Sequence, residues 1–166
     1  MEAFDLNEDP GLQCVPYPMP RITRWPYSQH WDISENTITI AHEQSSTRVL
    51  NKTKDLSIPP AHIPDQNGYS VAHLNDNGDL VVITRGFVET KWWSERGVSS
   101  SSSKVVTEIY RLVDGGYGLE LEYTITDPDY LRESVQLGRN FRLIPNYQFT
   151  NEPCNIEAAR RHLQFD

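Results

Sequence analysis

The stretch Leu119–Asp127, LELEYTITD, alternates between apolar and polar residues. In an extended strand its apolar members share one side: Leu119, Leu121, Tyr123 and Ile125. The other side carries Glu120, Glu122, Thr124 and Thr126. Because successive side chains of a strand point to opposite faces, this pattern predicts one buried face and one solvated face. Such strands are typical of antiparallel sheets that cover a core on one side only.

Eight further segments have similar alternation or β-branched content and end in turn sequences, so they are also predicted as strands. They are residues 21–26, 29–34, 37–42, 45–50, 68–74, 79–85, 104–113 and 135–144, with 117–126 as the remaining strand. Short connections favour an up-and-down meander, and eight or nine strands are enough to close it. We therefore predict a single all-β domain over residues 1–166, an antiparallel up-and-down β-barrel of the lipocalin or fatty-acid-binding type.

The two ends and the long loops receive separate predictions. Residues 1–20 contain four prolines and should form an extended arm, whereas helical spacing of apolar residues predicts a short helix over 155–163. Residues 52–67 and 88–103 form long loops, of the kind that often act as lids. In the second loop, Trp92-Trp93 is the lid candidate, and the following run of five serines is predicted to be a solvated linker.

Composition limits the partners. The net charge of −8 and the pI near 5.1 argue against nucleic acid or an anionic membrane surface. No apolar run approaches the ~20 residues of a membrane helix, so membrane insertion is not expected. The acidic start of the chain does not have the order of a signal peptide. The protein is therefore expected to be cytoplasmic, or periplasmic or secreted if a leader was removed, and either a monomer or a homodimer.

Cys14 and Cys154 lie near opposite ends of the chain. They are either two unrelated buried thiols or a disulfide that joins the termini, and a disulfide suits an oxidising compartment. Neither has CxxC or Cys/His spacing, so no zinc site is expected.

Four polar residues fall on apolar faces of the predicted strands: His42, His73, Glu108 and Arg139. A charge buried alone costs several kcal/mol, so Glu108 and Arg139 are expected to pair with each other or with a ligand. Alternatives remain for each residue. A bulge would turn Glu108 outward, Arg139 could extend to water at the barrel mouth, and each histidine could be a hydrogen-bonded core residue.

Together these residues predict a small-molecule site. His42 or His73 would act as general base, Glu108 as its orienting partner or the acid, and Arg139 as the substrate anchor. The predicted aromatic lining consists of Tyr69, Tyr110, Tyr123, Trp31 and Trp92. No phosphate-binding or hydrolase motif occurs, and no spacing supports a metal or a cofactor.

The leading functional prediction is a cofactor-independent isomerase, lyase or cyclase acting on a small apolar or carboxylated molecule. The alternative is a non-catalytic carrier of a small hydrophobic ligand, with Arg139 holding an anion. A weaker third reading is a protein-interaction module that uses the Trp92-Trp93 loop.

Several short fragments resemble a family of largely uncharacterised bacterial proteins that are usually exported and expected to be β-rich. The matching pieces are Cys14-Val15-Pro16 with Pro20-Arg21, Gly78–Val82 followed by Thr84 and Gly86-Phe87, Glu108 with Tyr110, Thr124–Pro128, Phe141–Leu143 with Pro145, and Glu152 with Cys154. The resemblance implies an exported protein in which both cysteines belong to the pattern. It departs at Ser45 and Ile83, where the family has His and Asp, and at the serine run, where the family has a His. It implies no particular activity.

Overall fold

The computed structural model describes residues 5–150 and 152–161. Eight strands form one curled, half-barrel sheet, in which the order across the sheet follows the order along the chain. The strands are β1 (Gln29–Ile33), β2 (Thr37–His42), β3 (Thr47–Lys52), β4 (Tyr69–Leu74), β5 (Leu80–Arg85), β6 (Val105–Val113), β7 (Gly118–Thr126) and β8 (Val135–Arg142). The predicted all-β class is confirmed.

The prediction of a fully antiparallel, closed meander is wrong in two respects. β3 and β4 run parallel, with Leu50 opposite Ser70, while every other neighbouring pair is antiparallel. Residues 53–68 are long enough to carry the chain back to its starting end, whereas a hairpin loop of about two to five residues would have forced an antiparallel pair. In addition, β1 and β8 are the two edges of the sheet and do not pair, so one side stays open.

The concave face of the sheet carries the core. In β7 the alternation holds as predicted, with Leu121, Tyr123 and Ile125 buried and Glu122 exposed. The fully buried aliphatic neighbours come from adjacent strands: Ile38 and Ile40 of β2, Leu50 of β3, Ala72 of β4 and Val82 of β5. Removing these side chains from water is the main contribution to stability that the fold provides.

The segment before β1 closes one end of the half-barrel. Residues 21–24 form a single helical turn, α1 (Arg21–Arg24), so the strand predicted over 21–26 is wrong. Ile22 and the preceding Met19 are fully buried against Phe87 and Val106. This tertiary packing outweighs the weak local preference for an extended chain. The predicted extended arm over 1–20 is also wrong in part, because Leu6–Glu8 and Pro10–Gln13 form 3-10 turns.

The chain after β8 spans the open side. The amide of Leu143 donates to the carbonyl of Tyr117 at 2.8 Å, beside β8. Tyr147 and Thr150 then donate to the carboxylate of Glu43, which follows β2. Residues 143–150 therefore run from one edge of the half-barrel to the other, and we call them the C-terminal strap.

Beyond the strap, the termini are joined covalently. Cys14 and Cys154 form a disulfide, which confirms the second of the two readings of these residues. The terminal helix α2 (Ile156–Arg160) is capped by the Asn155 side chain and is shorter than the predicted 155–163, of which residues 162 and 163 lie outside the described residues. None of the helices in the described part of the chain is long and apolar enough to cross a membrane.

The prediction that the serine run is a solvated linker is wrong in part, since Ser102 and Ser103 are exposed but their neighbours are not. Ser100 and Ser101 are buried, and Ser101 donates through both its amide and its hydroxyl to the carboxylate of Asp127 at 2.7 and 2.8 Å. Trp93 is buried in the main core, where its Nε1 donates to the carbonyl of Ser99. The loop is therefore packed onto the sheet by these contacts.

Candidate functional site

A cavity of about 1270 Å³ lies between the sheet and the C-terminal strap, beside residues 26–28, which follow α1. Its apolar walls are contributed by the sheet and by the strap: Trp31, Ile38, Leu80, Tyr110, Leu119 and Phe141 from the strands, and Leu143, Ile144, Pro145, Tyr147 and Phe149 from the strap. The strap thus forms one wall of the cavity as well as covering the open side of the sheet.

The charged side chains around the cavity all have the same sign. The lining contains Lys52, Lys54, Arg139 and Arg142, together with His30 and His73, and among the described residues it contains no Asp or Glu. This contrasts with the whole chain, which has a net charge of −8. The cavity is therefore a cationic region within an acidic protein.

Arg139 is half-buried on the concave side of β8, opposite Leu121. Its Nη1 donates to the carbonyl oxygens of Thr23, at 3.2 Å, and Trp25, and its guanidinium lies over the ring of Phe141 at 4.8 Å. Partial burial lowers its pKa from the ordinary arginine value. The expected pairing of Arg139 with Glu108 is wrong, because Glu108 has another cation.

That cation is Arg48 of β3. The fully buried Glu108 carboxylate accepts from Arg48 Nη1 at 2.9 Å and from Arg48 Nη2. The same guanidinium donates to the hydroxyls of Ser70, at 3.1 and 3.2 Å, and Thr84, at 2.8 Å. Burial opposes the charged guanidinium, yet the adjacent Glu108 carboxylate leaves the pKa of Arg48 raised. These buried side chains therefore satisfy one another's hydrogen bonds on the inner face of the sheet.

Tyr110 joins the network to the cavity. Its hydroxyl donates to Glu108 Oε1 at 2.8 Å, and its ring lines the cavity, edge-on to Trp31 at 5.1 Å between ring centroids. Burial and then the Glu108 carboxylate raise the pKa of Tyr110 well above the ordinary tyrosine value. The phenol therefore stays protonated, and Glu108 is screened from the cavity.

The two predicted histidines differ in position. His42 is buried, its Nδ1 lies 3.1 Å from the carbonyl of Ser46, and it does not line the cavity. Burial lowers its pKa to about 4, so the imidazole is neutral at pH 7. His73 lies on the convex face, opposite Val81, because Ser70 and Ala72 are the residues of β4 that face inward; the predicted inward placement is wrong.

His73 nevertheless reaches the rim of the cavity at the end of β4. Its Nδ1 is buried and has no hydrogen-bond partner among the described residues. Of the two predicted general bases, His73 is therefore the one near the cavity.

Of the five aromatic residues predicted to line the site, some line the cavity and some do not. Trp31 and Tyr110 line the cavity, but the placement of the other three in its wall is wrong. Tyr69 lies on the convex face beside His62, Tyr123 is buried in the core, and Trp92 packs near Arg21. Burial is the main cause that raises the pKa of Tyr123 to about 12. Their strand or loop positions put them beyond reach of the cavity.

Two contributors were not identified from the sequence. Arg48 has the same parity as Leu50 in β3, which is the signal that could have identified it as inward-facing. The strap has no strand or helix pattern, so its position as a cavity wall left no periodic signal in the sequence.

No protein-family model, curated protein or solved structure matches this chain. The resemblance to exported bacterial β-rich proteins stays a prediction based on its motifs. Across residues 5–150 and 152–161, no three His, Cys, Asp or Glu side chains are grouped so that they could hold a metal ion.

Proposed function

We propose that this protein is a lipocalin-like carrier that holds a small, largely apolar molecule in the cavity without converting it. The observation that carries the proposal is the wall itself, in which aliphatic and aromatic side chains from six strands and the strap line a half-open cavity of about 1270 Å³. Ligand sites of proteins are concave, mostly apolar and typically about 300–1,000 Å³ in volume. The cavity has room for a bulky ligand.

The positions of the acid–base residues favour a carrier over the predicted isomerase, lyase or cyclase. General acid–base catalysis requires groups that reach the substrate within hydrogen-bond distance. Neither His42 nor Glu108 lines the cavity, and the Glu108 carboxylate is occupied by Arg48 and Tyr110. The Cys14–Cys154 disulfide supports a protein that works in the periplasm or outside the cell.

One observation keeps an enzymatic function as the second candidate. His73 lines the rim of the cavity, and its Nδ1 lacks a hydrogen-bond partner among the described residues. Because that atom is buried and the side chain projects from the convex face, it would reach a substrate if the imidazole turned toward the cavity. His73 would then be the general base, without the Glu108 partner that the sequence suggested.

The carrier proposal is tested with the neutral fluorescent probe N-phenyl-1-naphthylamine and the disulfide-intact chain. Saturable binding with enhanced fluorescence is expected. Leu119→Trp places a bulky indole ring in the cavity wall and should weaken binding about tenfold or more, equivalent to about 1.4 kcal/mol. Val49→Trp, on the exposed face of β3, is the matched control and should bind as the wild type does. Absence of saturable binding would reject the proposal.

The enzymatic candidate is tested on any small molecule that co-purifies with the protein. Incubation in D₂O followed by mass spectrometry of that ligand detects proton exchange. Deuterium incorporation that His73→Asn abolishes would favour the enzyme, whereas a ligand recovered without deuterium favours the carrier.

A further inference from the structure

We infer that the ligand is an amphipathic organic anion, with a carboxylate at Arg139 and a bulky apolar body along the aromatic and aliphatic wall. This inference rests on the proposed carrier function and specifies the chemical class that the cavity selects.

The first argument is the distribution of charge. Four lysine and arginine residues line the cavity, and no Asp or Glu of the described part of the chain does so, although acidic residues outnumber basic ones in the chain by 23 to 15. Like charges around one cavity repel each other, which costs some electrostatic free energy even though solvent screens the exposed Lys52, Lys54 and Arg142. A bound anion would remove that cost, and it would also be attracted to the cavity from solution.

The second argument is the environment of Arg139. Lys52, Lys54 and Arg142 are exposed to solvent, whereas Arg139 is half-buried and has no carboxylate within ion-pair distance among the described residues. Other buried arginines of the chain do have such partners, Asp9 for Arg21 and Glu108 for Arg48. Arg139 is thus a partly desolvated cation whose counter-ion the described protein does not supply.

The third argument concerns the hydrogen-bond donors of Arg139. A guanidinium has five N–H donors, and among the described residues only Nη1 of Arg139 donates to protein, to the carbonyls of Thr23 and Trp25. Those two bonds hold the side chain in place. The remaining donors can bind a carboxylate, and the planar geometry of the guanidinium matches two carboxylate oxygens. Phe141, over which the guanidinium lies, and Tyr110 then offer apolar surface for the body of the ligand.

The test compares tetradecanoate with tetradecan-1-ol, which share an alkyl chain and differ in charge. Each is titrated below its aggregation limit against bound N-phenyl-1-naphthylamine. A charge-assisted hydrogen-bonded pair should give the wild type about tenfold or more preference for the carboxylate. Arg139→Gln should reduce that preference to about twofold or less, chiefly by weakening the binding of the carboxylate. Arg85→Gln, which removes an exposed cation away from the cavity, should preserve the preference.

The outcomes separate this inference from the carrier proposal. If the wild type binds the alcohol as tightly as the carboxylate, the inference is overturned and the carrier proposal stands. If the wild type binds neither ligand nor the neutral probe, the carrier proposal itself fails. The wild-type comparison does not depend on the folding of Arg139→Gln, and Arg139→Lys provides a second variant that should retain part of the preference. A preference that Arg139→Gln leaves intact in folded protein would place the anion elsewhere and overturn the assignment to Arg139.

Discussion

The guanidinium of Arg48 and the carboxylate of Glu108 form a two-pronged ion pair inside the sheet, joining β3 to β6 across 60 residues of sequence. Both side chains are almost completely buried. Ser70, Thr84 and Tyr110 complete the hydrogen bonding around the pair. A buried pair of this kind holds its strands in register because neither charge can be left without the other.

Removing one partner of the pair should therefore lower the free energy of unfolding by more than removing both partners together does. We expect Glu108→Leu or Arg48→Met alone to lower the free energy of unfolding by about 3–5 kcal/mol, since each leaves an uncompensated buried charge. The double variant should lose much less than the sum of the two single losses. Urea unfolding of the four proteins measures this coupling. Glu122→Gln, which breaks the exposed contact with Arg111, serves as the control and should change stability little. Additive losses in the double variant would contradict a coupled pair.

The buried imidazole of His42 should make the protein sensitive to acid. Its pKa is about 4 in the folded protein, below the unperturbed value of 6.5, chiefly because of burial. Between these values the unfolded chain binds the proton and the folded chain does not, so stability falls as the pH is lowered from about 6.5 to 4. The expected loss from this residue is about 3 kcal/mol, at about 1.4 kcal/mol per pKa unit.

The contribution of His42 is isolated by comparing the urea unfolding of the wild type with that of His42→Gln at a series of pH values. The difference in unfolding free energy between the two proteins should shrink or reverse towards pH 4. Parallel pH profiles would show that His42 does not carry this dependence.

Lys104 should make the stability of the protein depend on pH in the alkaline range. Its ammonium group is buried, donating to the carbonyl of Met19 and the hydroxyl of Ser100 and lying over the ring of Phe87. Burial lowers its pKa from 10.5 to about 8. Because the unfolded chain retains the proton between pH 8 and 10.5, the stability of the folded state rises over that interval, by up to about 3 kcal/mol.

Lys104→Met removes the titrating group and keeps most of its apolar volume. Between pH 8 and 9.5, the wild type should gain stability relative to this variant, as measured by denaturant unfolding. A constant difference in unfolding free energy over that range would contradict the lowered pKa.

The carboxylate of Glu43 should hold the C-terminal strap in place. Hydrogen bonds from the Thr150 amide and then the Tyr147 and Thr150 hydroxyls lower the pKa of this carboxyl. A lowered pKa means that the carboxylate stabilises the folded state above its ordinary titration range, and this contribution is lost as the pH falls through the folded pKa. Glu43→Gln weakens the same acceptor at every pH.

In Glu43→Gln we expect faster amide hydrogen exchange in residues 143–150 and faster release of the neutral probe, because the strap forms a wall of the cavity. Glu35→Gln, an exposed residue before β2, is the control. Unchanged exchange in the strap would show that the disulfide, the Leu143–Tyr117 hydrogen bond and the apolar contacts hold it without Glu43.

Much of the local structure follows from the sequence. The alternation in Leu119–Asp127 identifies both the strand and its buried face, and the turn sequence Asn75–Gly78 separates β4 from β5 as predicted. The same alternation along the strand predicted that the side chains of Glu108 and Arg139 point inward, and the strand register confirms both directions. These features could be predicted because side-chain direction along a strand depends only on the local backbone.

The parity rule does not say which face is the inner one where both faces carry apolar residues. In β4, Val71 on the convex face and Ala72 on the concave face are both buried, and so the prediction placed His73 on the wrong side. Similarly, the sequence predicts a strand over residues 45–50. It does not show that Arg48 of this strand, rather than Arg139, forms the ion pair with Glu108.

The sequence by itself determined the eight strands of the sheet, most of their faces and the all-β class, although it also predicted a strand over 21–26, where the chain forms α1. The parallel junction between β3 and β4, the Arg48–Glu108 pair and the walls of the cavity were decided only by tertiary structure. The physical reason is that these features depend on how the sheet curls and on where the chain passes between strands. The strap illustrates this best, since residues 143–150 have no secondary-structure pattern and take their position from Tyr117, Glu43 and the Cys14–Cys154 link.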